Sequence, residues 1–281
     1  MYMNNKVNNA NNVNNLNNSN NVFNSVHKST SKTKVLISLI VCAVVIAIIG
    51  TYIANNAIKN GKFTCEKYVL NTYIYICLSF LLIALENLVL EHQRFKFDKI
   101  GGYIWLIVIL MFASIIAINF IPRTNLPIKH LVWLIFILGA GFIFHPLYIV
   151  SRYTKTFISA LLTVAILVVL ITFFVFLKPE LVSLKMGPAL FWLLLIGIIM
   201  EIVSRFIIKD KEKKVTSYKL FSYFFIVLFT GYLLYDTRKL QENAKTCIES
   251  LGADYIGESL GMFLDIFNIL VRVMGLKAMR S

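Results

Sequence analysis

Two acids stand in apolar surroundings near the end of this 281-residue chain: Asp236, directly after FTGYLLY, and Asp265, inside SLGMFLDIFNILVRV. A carboxylate at the centre of a membrane helix costs about 2.5 to 3.5 kcal/mol. An acid kept in such a place is therefore either paired or useful. Gly257, Gly261, Asp265, Asn268 and Arg272 are separated by 4, 4, 3 and 4 positions, so they form one stripe along a helix. The G-x-x-x-G spacing of Gly257 and Gly261 lets a neighbouring helix approach closely, and Asp265, one turn on, points at that neighbour. The preceding segment is the natural partner, with Asp236 at its end and Tyr232 one turn before, placed to donate a hydrogen bond. Packed antiparallel, the two segments bring Asp236 and Asp265 together. Two carboxylates in a poorly solvated site cannot both ionise cheaply, which makes the pair a proton-sensing switch. The same two acids form a weak metal site for a hard cation. Ca²⁺ takes about six to eight oxygens, so two carboxylates suit transient passage better than storage. The plainer alternative is that Asp265 joins helices or pairs with Arg272.

The elements that must hold these acids are membrane helices. The chain is 58% hydrophobic and only 15% charged, against about 25% charged in soluble domains. Eight apolar segments follow one another, at 35–54, 69–90, 103–121, 131–150, 157–177, 189–208, 221–235 and 256–276. The first six read as spans of about 20 residues. The seventh is shorter and ends at Asp236; the eighth, with its polar stripe, either spans or dips in and returns. The expected fold is all-α, a polytopic bundle of seven to eight hydrophobic segments over residues 35–281, because lipid offers backbone groups no partners. Residues 1–34, rich in Asn, form a polar low-complexity tail expected to be disordered.

The net charge of +14 does not point to nucleic acid, because the basic residues sit in short loops between spans. With a cytosolic N-terminus and eight crossings, sixteen basic residues lie inside and ten outside, a weak bias in favour of that orientation. Cys65 and Cys247 fall in loops that share a side under this topology, which permits a disulfide in an oxidising lumen. Cys42 and Cys77 read as packing residues. Glu201 and Arg205, four apart, have the spacing of a helical ion pair. His145 precedes Pro146, where a kink is expected, and has no second His at metal-ligand spacing. Glu86 is a further intramembrane acid that either lines a path or sits at a helix interface. P-loop, G-x-S-x-G, CxxC and H-E-x-x-H patterns are missing, so enzymatic chemistry is not expected, nor is a cofactor.

The stretches YDTRKL at 235–240 and ADYIGESLGMFLDIFNIL at 253–270 resemble the C-terminal signature of the Bax inhibitor-1/Lifeguard family, also called the transmembrane Bax inhibitor motif family. The likeness covers about the last 50 residues, within 230–276. It implies a helical membrane protein with seven apolar segments. Some members are anti-apoptotic proteins of the endoplasmic reticulum and Golgi; bacterial members are pH-sensitive calcium leaks. By motif position the gating pair of such leaks is Asp236 and Asp265 here. Polar residues of the second segment take part in the family gate, for which Glu86 is the positional candidate. Partners implied are the lipid bilayer, calcium ions and cell-death regulators of the Bcl-2 type. Eight segments stand here where the family has seven, and the segment ending in the YDT-type motif finishes on the cytosolic side in the family. With eight crossings and a cytosolic N-terminus it would face outward, so either an early segment does not span or the N-terminus lies outside.

Three functional classes follow: a proton-gated calcium or cation leak, a membrane cell-death regulator acting through protein contacts, and a secondary transporter. The transporter ranks last, since related halves are not visible in the sequence.

Overall fold

The computed structural model describes residues 32–95 and 102–280; the Asn-rich stretch 1–31 lies outside them. Eight α-helices follow in order among the described residues: α1 (Lys32–Tyr52), α2 (Tyr68–His92), α3 (Ile104–Phe120), α4 (Leu126–Tyr153), α5 (Phe157–Leu177), α6 (Gly187–Ile207), α7 (Lys211–Lys245) and α8 (Tyr255–Ala278). The protein is thus an all-α polytopic bundle, and seven of the helical segments are long and apolar enough to cross a membrane. The eighth, α3, has 17 residues, about 25 Å of helix.

Contacts at the helix ends nonetheless require α3 to run from one face of the bundle to the other. Glu91, at the end of α2, meets Arg152 at the end of α4 at 3.7 Å. Lys129, at the start of α4, meets Asp254, just before α8, at 2.8 Å. So α2 ends on one face, α4 begins on the opposite face, and α3 connects them. Lys277 near the end of α8 reaches Ser159 and Thr163 at the start of α5, which places those ends with Glu91 and Arg152.

The last helix is the axis of the bundle. It packs against α7, α2, α4 and α5, and 61% of its apolar window is buried, against 11% for that of α1. The segment therefore traverses the bundle and does not dip and return. Its N-terminus is capped by Asp254, whose Oδ1 accepts from the Gly257 amide at 3.0 Å.

Helix α7 differs from its sequence reading. It does not stop with the apolar run at Asp236 but continues to Lys245, 35 residues in all. Asp210 caps its start, accepting from the amides of Glu212 and Lys213 at 2.8 and 3.1 Å. Beyond the apolar run, Arg238 and Glu242 pair one turn apart, and Lys245 adds to Glu242 at 3.1 Å. Good helix formers and local ion pairs carry a helix past the end of its hydrophobic stretch.

One small β-element was not expected from the pattern. After α1, which ends in a π-helical turn (Ile53–Ala57), strands β1 (Ile58–Lys59) and β2 (Lys62–Phe63) pair antiparallel. Asn60 and Gly61 join them with φ of 51° and 74°, the left-handed pair that a two-residue hairpin loop needs. The hairpin docks on the α7–α8 connection: the Ala253 amide donates to the Phe63 carbonyl at 3.2 Å. At Gly252, with φ of 74°, a Cβ would lie 2.7 Å from that same carbonyl oxygen. Cys65 and Cys247 close the junction as a disulfide. Beneath it, Tyr255 sits among Phe63, Tyr68 and Tyr75, its hydroxyl bonded to the Thr64 carbonyl and to Asn71 Nδ2.

Candidate functional site: a carboxyl pair at the bundle axis

Asp236 lies nine residues before the end of α7 and Asp265 ten residues after the start of α8. Both ends share the disulfide-bearing face, so each acid sits about 14 to 15 Å below it. Because the helices run antiparallel, equal depth makes them neighbours. The two carboxyl groups lie within hydrogen-bonding reach of each other. Asp265 is 5% exposed, and its Oδ2 is buried without a donor.

Gly261 makes room for the contact. A Cβ there would stand 2.9 Å from Asp236 Oδ2, so the α7 carboxyl rests on the bare backbone of α8. Gly257 instead accommodates the helix cap, its nearest neighbour being the capping carboxylate of Asp254, 2.6 Å from where a Cβ would be. Gly261 thus admits the neighbouring helix α7.

Charges around the pair come from both helices. Lys239 and Glu258 act on Asp236, and Tyr232 is within electrostatic reach of both acids. Among the described residues, no hydrogen bond joins Tyr232 to Asp236, contrary to expectation. Glu258, half-buried, accepts from Asn243 Nδ2 at 2.6 Å, adding a polar link between α7 and α8 on the disulfide side of the pair. Glu258 was missed in the sequence, although it lies seven residues before Asp265 and so two turns away on the same side of the helix.

Two members of the polar stripe are spent elsewhere. Asn268 donates to the Leu264 carbonyl of its own helix at 2.8 Å. Arg272 does not pair with Asp265: it grips Glu201 of α6 with both guanidinium arms, at 3.0 and 2.6 Å. Its guanidinium also stands 4.7 Å from the ring centre of Phe225. The expected Glu201–Arg205 pair is present at 2.8 Å, so one acid holds two arginines. Glu86, on α2, has a buried Oε2 without a donor, against Gly141 of α4. Neither a hydrogen bond nor an ion pair joins Glu86 to Asp236 or Asp265 among the described residues. His145 is buried and bonded through Nδ1 to Asn87 at 2.9 Å, a packed histidine.

These features define a class: a multi-pass helical membrane protein with an axial helix and two facing carboxyl groups at its core. Residues 65–281 match the family model Bax1-I, inhibitor of apoptosis-promoting Bax1. The chain belongs to the Bax inhibitor-1 family, a family of membrane cell-death regulators. No curated protein and no solved structure matches the chain. The family region begins at Cys65, so α2 to α8 supply its seven segments and α1 precedes them. This accounts for eight segments where seven were implied. Within the matched region Glu86 lies on the first segment, α2.

Proposed function

We propose that the protein is a proton-controlled cation leak, with calcium as the permeant ion and Asp236 and Asp265 as the gate. The observation that carries this reading is the contact of two carboxyl groups, one from each of the last two helices, at the bundle axis. With one proton between them the acids attract and tie α7 to α8. Without it, two like charges share a poorly solvated site and push the helices apart. Opening by this route makes the leak rise as pH rises, with Lys239 and Glu258 setting the field around the pair. Two carboxylates hold calcium only in passing, and the reading involves neither a resident cofactor nor an enzymatic step.

The orientation that fits has the N-terminus in the cytosol and the disulfide face in an oxidising compartment, as in an endomembrane such as the endoplasmic reticulum. Charge bias and the Cys65–Cys247 bond agree on it. The end of α7 then faces the lumen, opposite to what the family resemblance implies. Release of stored calcium would connect the leak to cell-death signalling. The second reading, regulation through contacts with Bcl-2-type proteins, is favoured by the family description.

Calcium efflux from liposomes holding the purified chain, scanned from about pH 5 to 8, tests the first reading. Wild type should leak more as pH rises, and Asp236→Asn and Asp265→Asn should each flatten the profile. An unchanged profile in both variants would leave the acids as structural groups and favour the second reading.

A further inference from the structure

At the face opposite the disulfide, the α6–α7 turn encloses a cavity of about 420 Å³, within the range of small-ligand sites (about 300–1,000 Å³). Its polar wall carries Glu201, Ser204, Arg205, Lys214, Ser217 and Tyr218, and its apolar wall carries Ile208 and Phe221. Both helices change character at this level. On α6 the apolar run gives way to Glu201, Ser204 and Arg205; on α7 the charged first turns give way to apolar sequence at Phe221. Phe206, Ile207 and Leu220, beside the cavity, are 80%, 71% and 68% exposed, as residues facing acyl chains would be. The cavity therefore sits where headgroups meet hydrocarbon.

Its charge is positive. Between residues 205 and 219 six basic residues stand against two acids. Glu201, the one acid that lines the cavity, is already shared by Arg205 and Arg272, and Lys214 has no ion-pair partner among the described residues. Arg205 remains open, its side chain 67% exposed despite that pair. Exposed cations beside hydroxyl donors suit phosphate oxygens, and the adjoining apolar wall suits the start of an acyl chain.

We infer that this cavity binds the headgroup of an anionic phospholipid, with Arg205 and Lys214 on the phosphate and the acyl chains along Ile208 and Phe221. Basic pockets between membrane helices take such headgroups, each Lys or Arg contributing about a fivefold gain in affinity. The site is independent of the carboxyl pair and of the leak.

The test is native mass spectrometry of the detergent-purified full chain titrated with dioleoylphosphatidylglycerol or dioleoylphosphatidylcholine. The chain should retain one phosphatidylglycerol at concentrations where phosphatidylcholine is lost. Lys214→Gln should weaken retention about fivefold, and Arg205→Gln with Lys214→Gln about 25-fold. Lys245→Gln, on the opposite face, should not change it. Because Lys214 is exposed, the single variant reports on the site without disturbing Glu201. Equal retention of both lipids, or unchanged retention in the double variant, overturns the assignment. Displacement by soluble glycerophosphate at the concentration that phosphatidylglycerol itself requires overturns the lipid as occupant, since the acyl wall would then contribute nothing.

Discussion

Helix α8 carries two polar anchors seven residues apart, and they bury charge in opposite ways. At Arg272 the partner is Glu201, which also takes Arg205, so one carboxylate is met by two guanidinium groups. At Asp265 the partner is another acid, and Asp265 Oδ2 is buried without a donor among the described residues. The first arrangement joins opposite charges and acts as a fixed joint between α6 and α8. In the proposed leak the second answers to the medium.

Breaking the fixed joint should have the largest effect. Glu201→Ala leaves Arg272, with 16% side-chain exposure, without its carboxylate and should cost about 3 kcal/mol. Asp265→Asn, which replaces an acid by a neutral isostere, should cost about 1 kcal/mol or less. Thermal unfolding of both variants in nanodiscs checks this, and equal losses would erase the distinction between joint and switch. Next in size is Gly261→Ala, whose new methyl would meet Asp236 Oδ2 at 2.9 Å. It should destabilise by about 1 to 3 kcal/mol and raise the leak at acidic pH by separating the acids mechanically. A variant leaking like wild type at pH 5 would mean that the carboxyl contact does not hold the gate. The smallest effect is expected at Asn268→Ala, since that amide serves only its own helix. Stability should change by about 0.5 kcal/mol or less, with an unaltered pH profile; a shifted profile would bring Asn268 into the switch.

What the sequence made legible was local. The stripe on α8, the Glu201–Arg205 spacing and the antiparallel approach of Asp236 to Asp265 all follow from helical periodicity and from two segments that are consecutive in the chain. What escaped was long-range. Arg272 finds Glu201 across 71 positions and Lys129 finds Asp254 across 125, and no spacing rule links such residues before the helices are placed. The extent of α7 escaped for another reason: hydropathy marks where lipid ends, whereas caps and side-chain pairs decide where a helix ends. The Asn60-Gly61 hairpin carried its usual signal, but two residues on each side are too few for an alternating pattern.

The Cys65–Cys247 bond also fixes an order of events during synthesis. The two cysteines are 182 residues apart, which at about 5 to 20 residues per second separates their emergence by about 10 to 40 s. Through that interval the loop between α1 and α2 carries an unpaired thiol. Its oxidation has to wait until α7 has been delivered and has turned back toward α8. Closure of this bond, read in a pulse-chase by mobility with and without reductant, would therefore time the completion of the bundle itself.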